Sequence, residues 1–229
     1  MTPRMKQIPL AIGALGAGPE QSFDNFTPGA NAAALAHLRN FAPGAAPVYL
    51  WGAEGCGKTH LLRSLVRERQ AQGQRSLWFA PSDPTPWELH EAASLIVFDA
   101  CDRFDEARQH AAFTLFVEAT VRGLAIAAAG RVPPVDLPLR EDLRTRLGWG
   151  HVFALQPLGE PEVRAVLRRE ADRRGVFLSD EVMDYLLTRF ARDLTHLMAL
   201  LDGLDSFSLA NKRAITVPLL KQMLAEQHA

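Results

Sequence analysis

Cysteine is scarce in this chain of 229 residues: only Cys56 and Cys101 occur. They suit neither a disulfide framework nor the spacing of a zinc site, so a reduced chain in the cytoplasm is the expectation. A surplus of one charge is missing too, since 25 Lys and Arg face 26 Asp and Glu for a net charge of −1. A protein that grips DNA through its own phosphate contacts carries a basic excess; here any link to DNA is expected to run indirectly, through a partner. No apolar run approaches the roughly 20 residues that cross a bilayer. The N-terminal stretch MTPRMKQIPLAIGALGAG is interrupted by Pro9, Gly13 and Gly16, with no cleavage-site pattern after it. No membrane attachment is expected. What remains is ordinary globular material, 48% hydrophobic and 22% charged, able to build a core.

Residues 1–22, rich in Gly, Ala and Pro, read as an extended tail. A helical stretch over Asn31–Phe41 follows. Val48-Tyr49-Leu50-Trp51 is a short apolar run of the buried-strand kind and leads into a glycine-rich turn. Thr59–Ala71 then has helical periodicity through Leu61, Leu62, Leu65 and Val66. Ser76–Ala80 is the next strand, with a proline-broken connection through Pro81, Pro84 and Pro86. Ser94–Asp99, Leu124–Ala129 and Val152–Leu155 add strands, and Ala107–Arg122 a helix. Apolar runs without polar alternation, separated by helices, imply a parallel sheet covered on both faces. After Pro157 the pattern turns helical, over Glu160–Arg174, Asp180–Phe190, Asp193–Leu209 and a last helix from Thr216, with Pro218 in its first turn. The expected division is a tail (1–22), an α/β domain (23–157) and a small helical domain (158–229).

The turn after the first strand, Gly52-Ala53-Glu54-Gly55-Cys56-Gly57-Lys58-Thr59, fits G-x-x-x-x-G-K-[ST]. Wrapping backbone N–H groups around phosphate oxygens demands conformations that glycine reaches without a Cβ penalty. The helix that follows directs its N-terminal N–H groups and positive dipole end at the anion. Lys58 supplies a mobile charge for the outer phosphates, and Thr59 a hydroxyl for Mg²⁺. Gly52, Gly55, Cys56, Gly57, Lys58, Thr59 and His60 are therefore the expected nucleotide contacts, with Cys56 a small filler of a variable loop position.

Leu95-Ile96-Val97-Phe98-Asp99 has the form of a Walker B strand, a buried apolar run closed by a carboxylate. Ligands of open α/β sheets bind at that carboxyl edge. Asp99 is expected to hold Mg²⁺, mostly through water, together with Thr59. Where hydrolytic enzymes of this type carry a second acid, this chain has Ala100, and Asp102 sits in a different register. Slow turnover of its own nucleotide, or turnover that needs a partner, is expected.

Several phrases resemble a known family. Ser22-Phe23-Asp24-Asn25-Phe26, GAEGCGKTH, the Asp99 strand, Arg131-Val132-Pro133-Pro134 and Arg144-Thr145-Arg146-Leu147-Gly148-Trp149-Gly150 look like the AAA+ module of DnaA. The set, with Ala191-Arg192-Asp193-Leu194, is closer still to the Hda family, regulatory inactivators of DnaA. The resemblance implies a P-loop AAA+ module, an α/β fold with a parallel β-sheet core and a small C-terminal all-helical lid, holding ADP or ATP with Mg²⁺. It implies that Arg146 is an arginine finger, reaching the terminal phosphate of a neighbouring molecule's ATP with a permanently charged fork. Arg192 matches the lid arginine that contacts nucleotide in its own chain, and Phe26 is the implied base contact. One departure is Gly130-Arg131-Val132, standing where relatives carry a polar residue ahead of the proline pair, with the family's acid absent there; this again speaks against autonomous hydrolysis.

Gln7-Ile8-Pro9-Leu10-Ala11-Ile12 resembles the hexapeptide with which Hda proteins engage the DNA polymerase III sliding clamp. Such a peptide binds extended, with Leu10 and Ile12 in an apolar pocket and the Gln7 amide in a polar subsite, and Pro9 restricts the free chain. No basic region long enough for a DNA-reading module follows the lid, which disfavours a stand-alone initiator. The expected role is negative regulation of replication initiation, with DnaA and the clamp as partners. AAA+ modules self-associate, so a homodimer is admitted. The runner-up is a DnaA-paralogue ATPase or loader acting on another DNA-bound protein, distinguished by appreciable turnover of its own; a pure adaptor is the third reading.

Overall fold

The computed structural model describes residues 21–190 and 194–227. Five strands, β1 (Val48–Trp51), β2 (Arg75–Phe79), β3 (Ala93–Phe98), β4 (Ala125–Gly130) and β5 (His151–Ala154), form one sheet in the order β2-β3-β4-β1-β5. Every pairing is parallel. The sequence explains who sits in the middle. β4 is AIAAAG and buried throughout; its small side chains let layers close in on both faces, while β1 and β3 supply the bulk beside it. β5 is an edge strand and largely exposed, unlike the fully covered strand its apolar residues suggest, because a sheet's last strand has a neighbour on one side alone.

One face carries α1 (Ala32–Arg39) and α2 (Lys58–Ala71), whose Leu38, Leu61, Leu62 and Leu65 pack with Leu50, Leu95 and Val97. The opposite face carries α3 (Glu106–Val121) and α4 (Glu141–Gly148), which bury Leu115, Phe116, Leu143 and Leu147 against Tyr49, Ile96 and Phe98. The proline-broken link between β2 and β3 contains no helix. Trp87 fills the space instead, stacked 4.9 Å from Phe79 and edge-on to Phe104, a geometry favoured by ring quadrupoles. Asp105 caps α3 by accepting the N–H of Arg108.

The lid has a separate core. α5 (Glu160–Arg173), α6 (Asp180–Arg189), α7 (Leu194–Asn211) and α8 (Val217–Gln227) bury Val163, Leu167, Met183, Leu186, Leu201 and Leu219 among one another. Nearly buried Glu170 binds Arg173 and Arg174, and Arg174 also meets Asp202 on α7. These guanidinium donors hold the Glu170 carboxyl below its usual range. The linker from β5 to α5 is clamped by Asn31, whose buried amide donates to the Gln156 carbonyl at 2.9 Å and accepts the Gln156 N–H at 2.8 Å. No helix among the described residues is long and apolar enough to cross a membrane.

At the foot of α1, His37 lies against Phe41, Phe153 and His151, the two imidazole centroids 4.4 Å apart. Burial, then the charge of His151, push His37 below the ordinary imidazole range. Its buried Nε2 has no hydrogen-bond partner among the described residues. Protonation therefore favours the unfolded chain: this part of the stability is complete above about pH 7 and is lost as pH falls through about 6.5. Denaturation midpoints should fall between about pH 7.5 and 5.5, and a His37→Phe protein should show a smaller fall. Equal slopes in the two proteins would remove His37 as the cause.

Candidate nucleotide site

The loop between β1 and α2 is built as its glycines require. Gly52, Gly55 and Gly57 all have positive φ, at 149°, 75° and 99°. A Cβ on Gly52 would lie 2.4 Å from the Leu155 carbonyl oxygen, and one on Gly57 would lie 2.7 Å from the Phe26 ring. No side chain caps the N-terminus of α2, so its N–H groups stay available to an anion. Lys58 Nζ donates to the carbonyls of Gly52 and Ala53, both at 2.8 Å, and lies 3.6 Å from Cys56 Sγ. Cys56 is buried in the core beneath the loop.

Thr59 and Asp99 meet as expected. The Thr59 hydroxyl donates to Asp99 Oδ2 at 2.9 Å, while the Ala100 N–H donates to Oδ1. Burial pushes the Asp99 carboxyl above its usual range, against the pull of the Thr59 and Ala100 donors and the charges of Lys58 and Arg63. A divalent cation beside the pair would favour the ionised carboxylate and turn both oxygens into hard ligands, with phosphate and water completing the shell. The residues thus fit a Mg²⁺–nucleotide. Among the described residues there is no group of three or more His, Cys, Asp or Glu that could form an all-protein metal site.

Phe26 and His60 close the other side. Their rings meet edge-on at 5.3 Å, and His60 Nε2 lies 3.0 Å from the Ser22 carbonyl, the geometry of a donating Nε2–H. Burial lowers the His60 pKa and keeps the ring neutral. Gly52, Gly55, Cys56, Gly57, Lys58, Thr59, His60, Phe26 and Asp99 are therefore brought together. Arg192, Gln7, Leu10 and Ile12 lie outside the described residues.

Three features at the carboxyl ends of β3 and β4 escape a reading by strand and helix. Tyr49, in β1, donates its hydroxyl to the Val132 carbonyl at 2.9 Å. That hydroxyl stands 2.2 Å from where a Cβ on Gly130 would be. Asp102, almost wholly buried, accepts both the N–H and the Nε–H of Arg131, at 3.1 and 2.6 Å. The carboxylate nearest in sequence to a missing second acid is thus committed to an arginine. Ala100 adopts a left-handed conformation, φ 52° and ψ 41°, which costs a residue with a Cβ on the order of 1 kcal/mol. Gly130→Ala should lower stability by about 1–3 kcal/mol through overpacking, read from urea midpoints; an unchanged midpoint would show that Tyr49 yields freely.

Arg146 is elsewhere. It sits in the last turn of α4, on the sheet face opposite α2. Its guanidinium carbon lies 5.2 Å from the centroid of Phe113 on α3, and that of Arg140 lies 5.5 Å from the same ring. The three residues share an open groove of about 840 Å³ with Thr145 and the exposed Trp149. No carboxylate pairs with Arg146 among the described residues, whereas Arg140 pairs with Asp142.

With this geometry in hand, comparison with known proteins gives a consistent answer. Residues 160–224 match the family model for the lid domain of Hda. That match is confined to the C-terminal helices, about a quarter of the chain. The chain superposes on domain III of the replication initiation protein DnaA from Thermotoga maritima with a TM-score of 0.75 at 21% identity, covering 91% of this chain and 97% of that one. AMPPCP-bound DnaA from Aquifex aeolicus gives 0.65 at 21% identity, over 80% of this chain and 64% of that longer one. The Holliday junction branch migration motor RuvB of Thermotoga maritima gives 0.67 at 16% identity, over 90% and 71%. At such identities these likenesses establish the fold, and the similarity to the Hda lid is a property of residues 160–224.

Proposed function

We propose that this protein is a negative regulator of replication initiation that stimulates hydrolysis of the ATP held by DnaA. The observation that carries the reading is an Hda-type lid on a DnaA-like body. The position of Arg146 supports it: the guanidinium rests on an aromatic face in an open groove that no phosphate-loop residue lines. An arginine so placed serves a phosphate on another molecule. In that role its fork stabilises the charge that builds on the phosphoryl oxygens as water attacks and the bond to the leaving ADP breaks.

The chain's own loop would hold ADP or ATP. Backbone N–H groups of α2 and Lys58 would contact the phosphates, Arg192 would reach them from the lid, and Thr59 and Asp99 would hold Mg²⁺. The metal, when bound, neutralises phosphate charge. Commitment of Asp102 to Arg131, with Ala100 and Gly130 in place of polar residues, supports weak turnover at this site. Gln7, Leu10 and Ile12 would tether the protein to the DNA-loaded sliding clamp, so that DNA is approached indirectly.

The decisive assay follows hydrolysis of DnaA-bound ATP in the presence of clamp loaded on DNA. Full-length protein should accelerate it, and removal of residues 1–12 should abolish most of the acceleration. An unchanged DnaA rate with the intact protein would overturn the proposal. Appreciable ATP turnover without DnaA would favour a loader or motor instead.

A further inference from the structure

The segment from Ser22 to Asn31 is tied down at several points. Ser22 and Asn25 exchange bonds, the Ser22 N–H to Asn25 Oδ1 at 3.0 Å and the Asn25 N–H to Ser22 Oγ at 3.3 Å. His60 holds the Ser22 carbonyl, Arg39 pairs with Asp24 at 2.8 Å, and Asn31 clamps Gln156. Between these ties Phe26 packs over Gly57 and against His60. Aromatic surface beside the phosphate loop is what a purine would stack on.

One tie comes from the lid. Arg169, on α5, directs Nη2 to the Thr27 hydroxyl at 3.1 Å and to the Asn25 carbonyl at 3.3 Å, the residues on either side of Phe26. Its neighbours on the helix behave differently: Arg164 pairs with Asp184, Arg168 with Asp180, and Arg173 with Glu170. Among the described residues Arg169 meets no carboxylate. Its guanidinium is directed instead at two neutral acceptors in the Phe26 segment, apart from the ion pairs within the helical unit.

We propose that Arg169 is a positioning residue for the nucleotide base, fixing the Phe26 segment from the lid so that the base-stacking surface is formed before ligand arrives. Pre-organisation of this kind raises affinity by removing an ordering cost from binding. It acts on the base and not on the phosphates, which are held by the β1–α2 loop independently. The inference rests on the nucleotide-binding reading above, and the two fail in different ways.

The experiment compares ADP–Mg²⁺ with inorganic tripolyphosphate–Mg²⁺ by calorimetry on the full chain. Arg169→Ala should weaken ADP binding about 10-fold, the scale of a charge-assisted hydrogen bond, and leave tripolyphosphate within about twofold. Arg169→Lys, which keeps a donor, should recover part of the loss, and Thr27→Val should shift ADP in the same direction by less. Unchanged ADP affinity in Arg169→Ala would overturn the proposal. So would parallel weakening of both ligands, the mark of a general loss of structure. If the unaltered protein binds neither ligand, the nucleotide reading itself fails, and the role of Arg169 with it.

Discussion

Replacing Lys58 with alanine should weaken ADP and ATP binding on the order of 100-fold. The loop surrounds phosphate with N–H donors, but Lys58 brings the mobile full charge, and charge-assisted hydrogen bonds contribute about 1.5–3 kcal/mol each. In the structure Nζ is parked on the Gly52 and Ala53 carbonyls, so engaging a phosphate means exchanging two neutral acceptors for an anionic one. The thermal signature follows by mass action. At a ligand concentration of about 100 Kd the unaltered protein gains roughly 2.7 kcal/mol, whereas a protein with 100-fold weaker affinity gains roughly 0.4 kcal/mol at the same concentration. Melting curves with and without ADP–Mg²⁺ read this directly. Equal ligand-induced shifts in the two proteins would show that Lys58 does not serve the phosphates.

Arg146→Ala is expected to leave that binding intact and to lower stimulated DnaA-ATP hydrolysis by about 10³-fold or to the unstimulated rate, whichever is reached first. The separation follows from placement on opposite faces of the sheet. Stability should change little, since the loss is a partly exposed cation–π contact with Phe113 worth about 0.5–1 kcal/mol. Arg146→Lys should recover only a small part, because an ammonium keeps the charge without the planar fork. Full stimulation by the alanine protein would sink the finger role and leave an adaptor. The two variants are complementary: one should lose nucleotide and the other should lose its effect on the partner.

How much of this could be read beforehand depends on how local the cause is. The phosphate loop was legible because its chemistry is contiguous: glycines, lysine and threonine stand at fixed spacing between a strand and a helix. Strands β1 to β4 were legible as apolar runs, and the helical character after Pro157 by its periodicity. α4 was missed. It is short and polar, showing the core only Leu143 and Leu147, and it follows a proline-rich stretch. The order of the sheet was not legible either, since parallel strands of similar composition do not state their neighbours. The sequence places Asp102 near Asp99 in a different register, and its commitment to Arg131 depends on where β4 ends. Nothing in the sequence singles out Arg169 on the helix over Glu160–Arg174; its partners in the Phe26 segment are brought to it by the folding of the whole chain.

The hydroxyl of Tyr49 beside Gly130 makes the two positions evolutionarily interdependent. A descendant of this protein could not acquire a side chain at the end of β4 in one step without a collision, so any such change must pass through position 49 as well. Trimming the tyrosine to phenylalanine removes the obstructing oxygen but strands the Val132 carbonyl, so the intermediate is penalised as well. The two-residue lock therefore acts as a ratchet, keeping glycine at the end of β4.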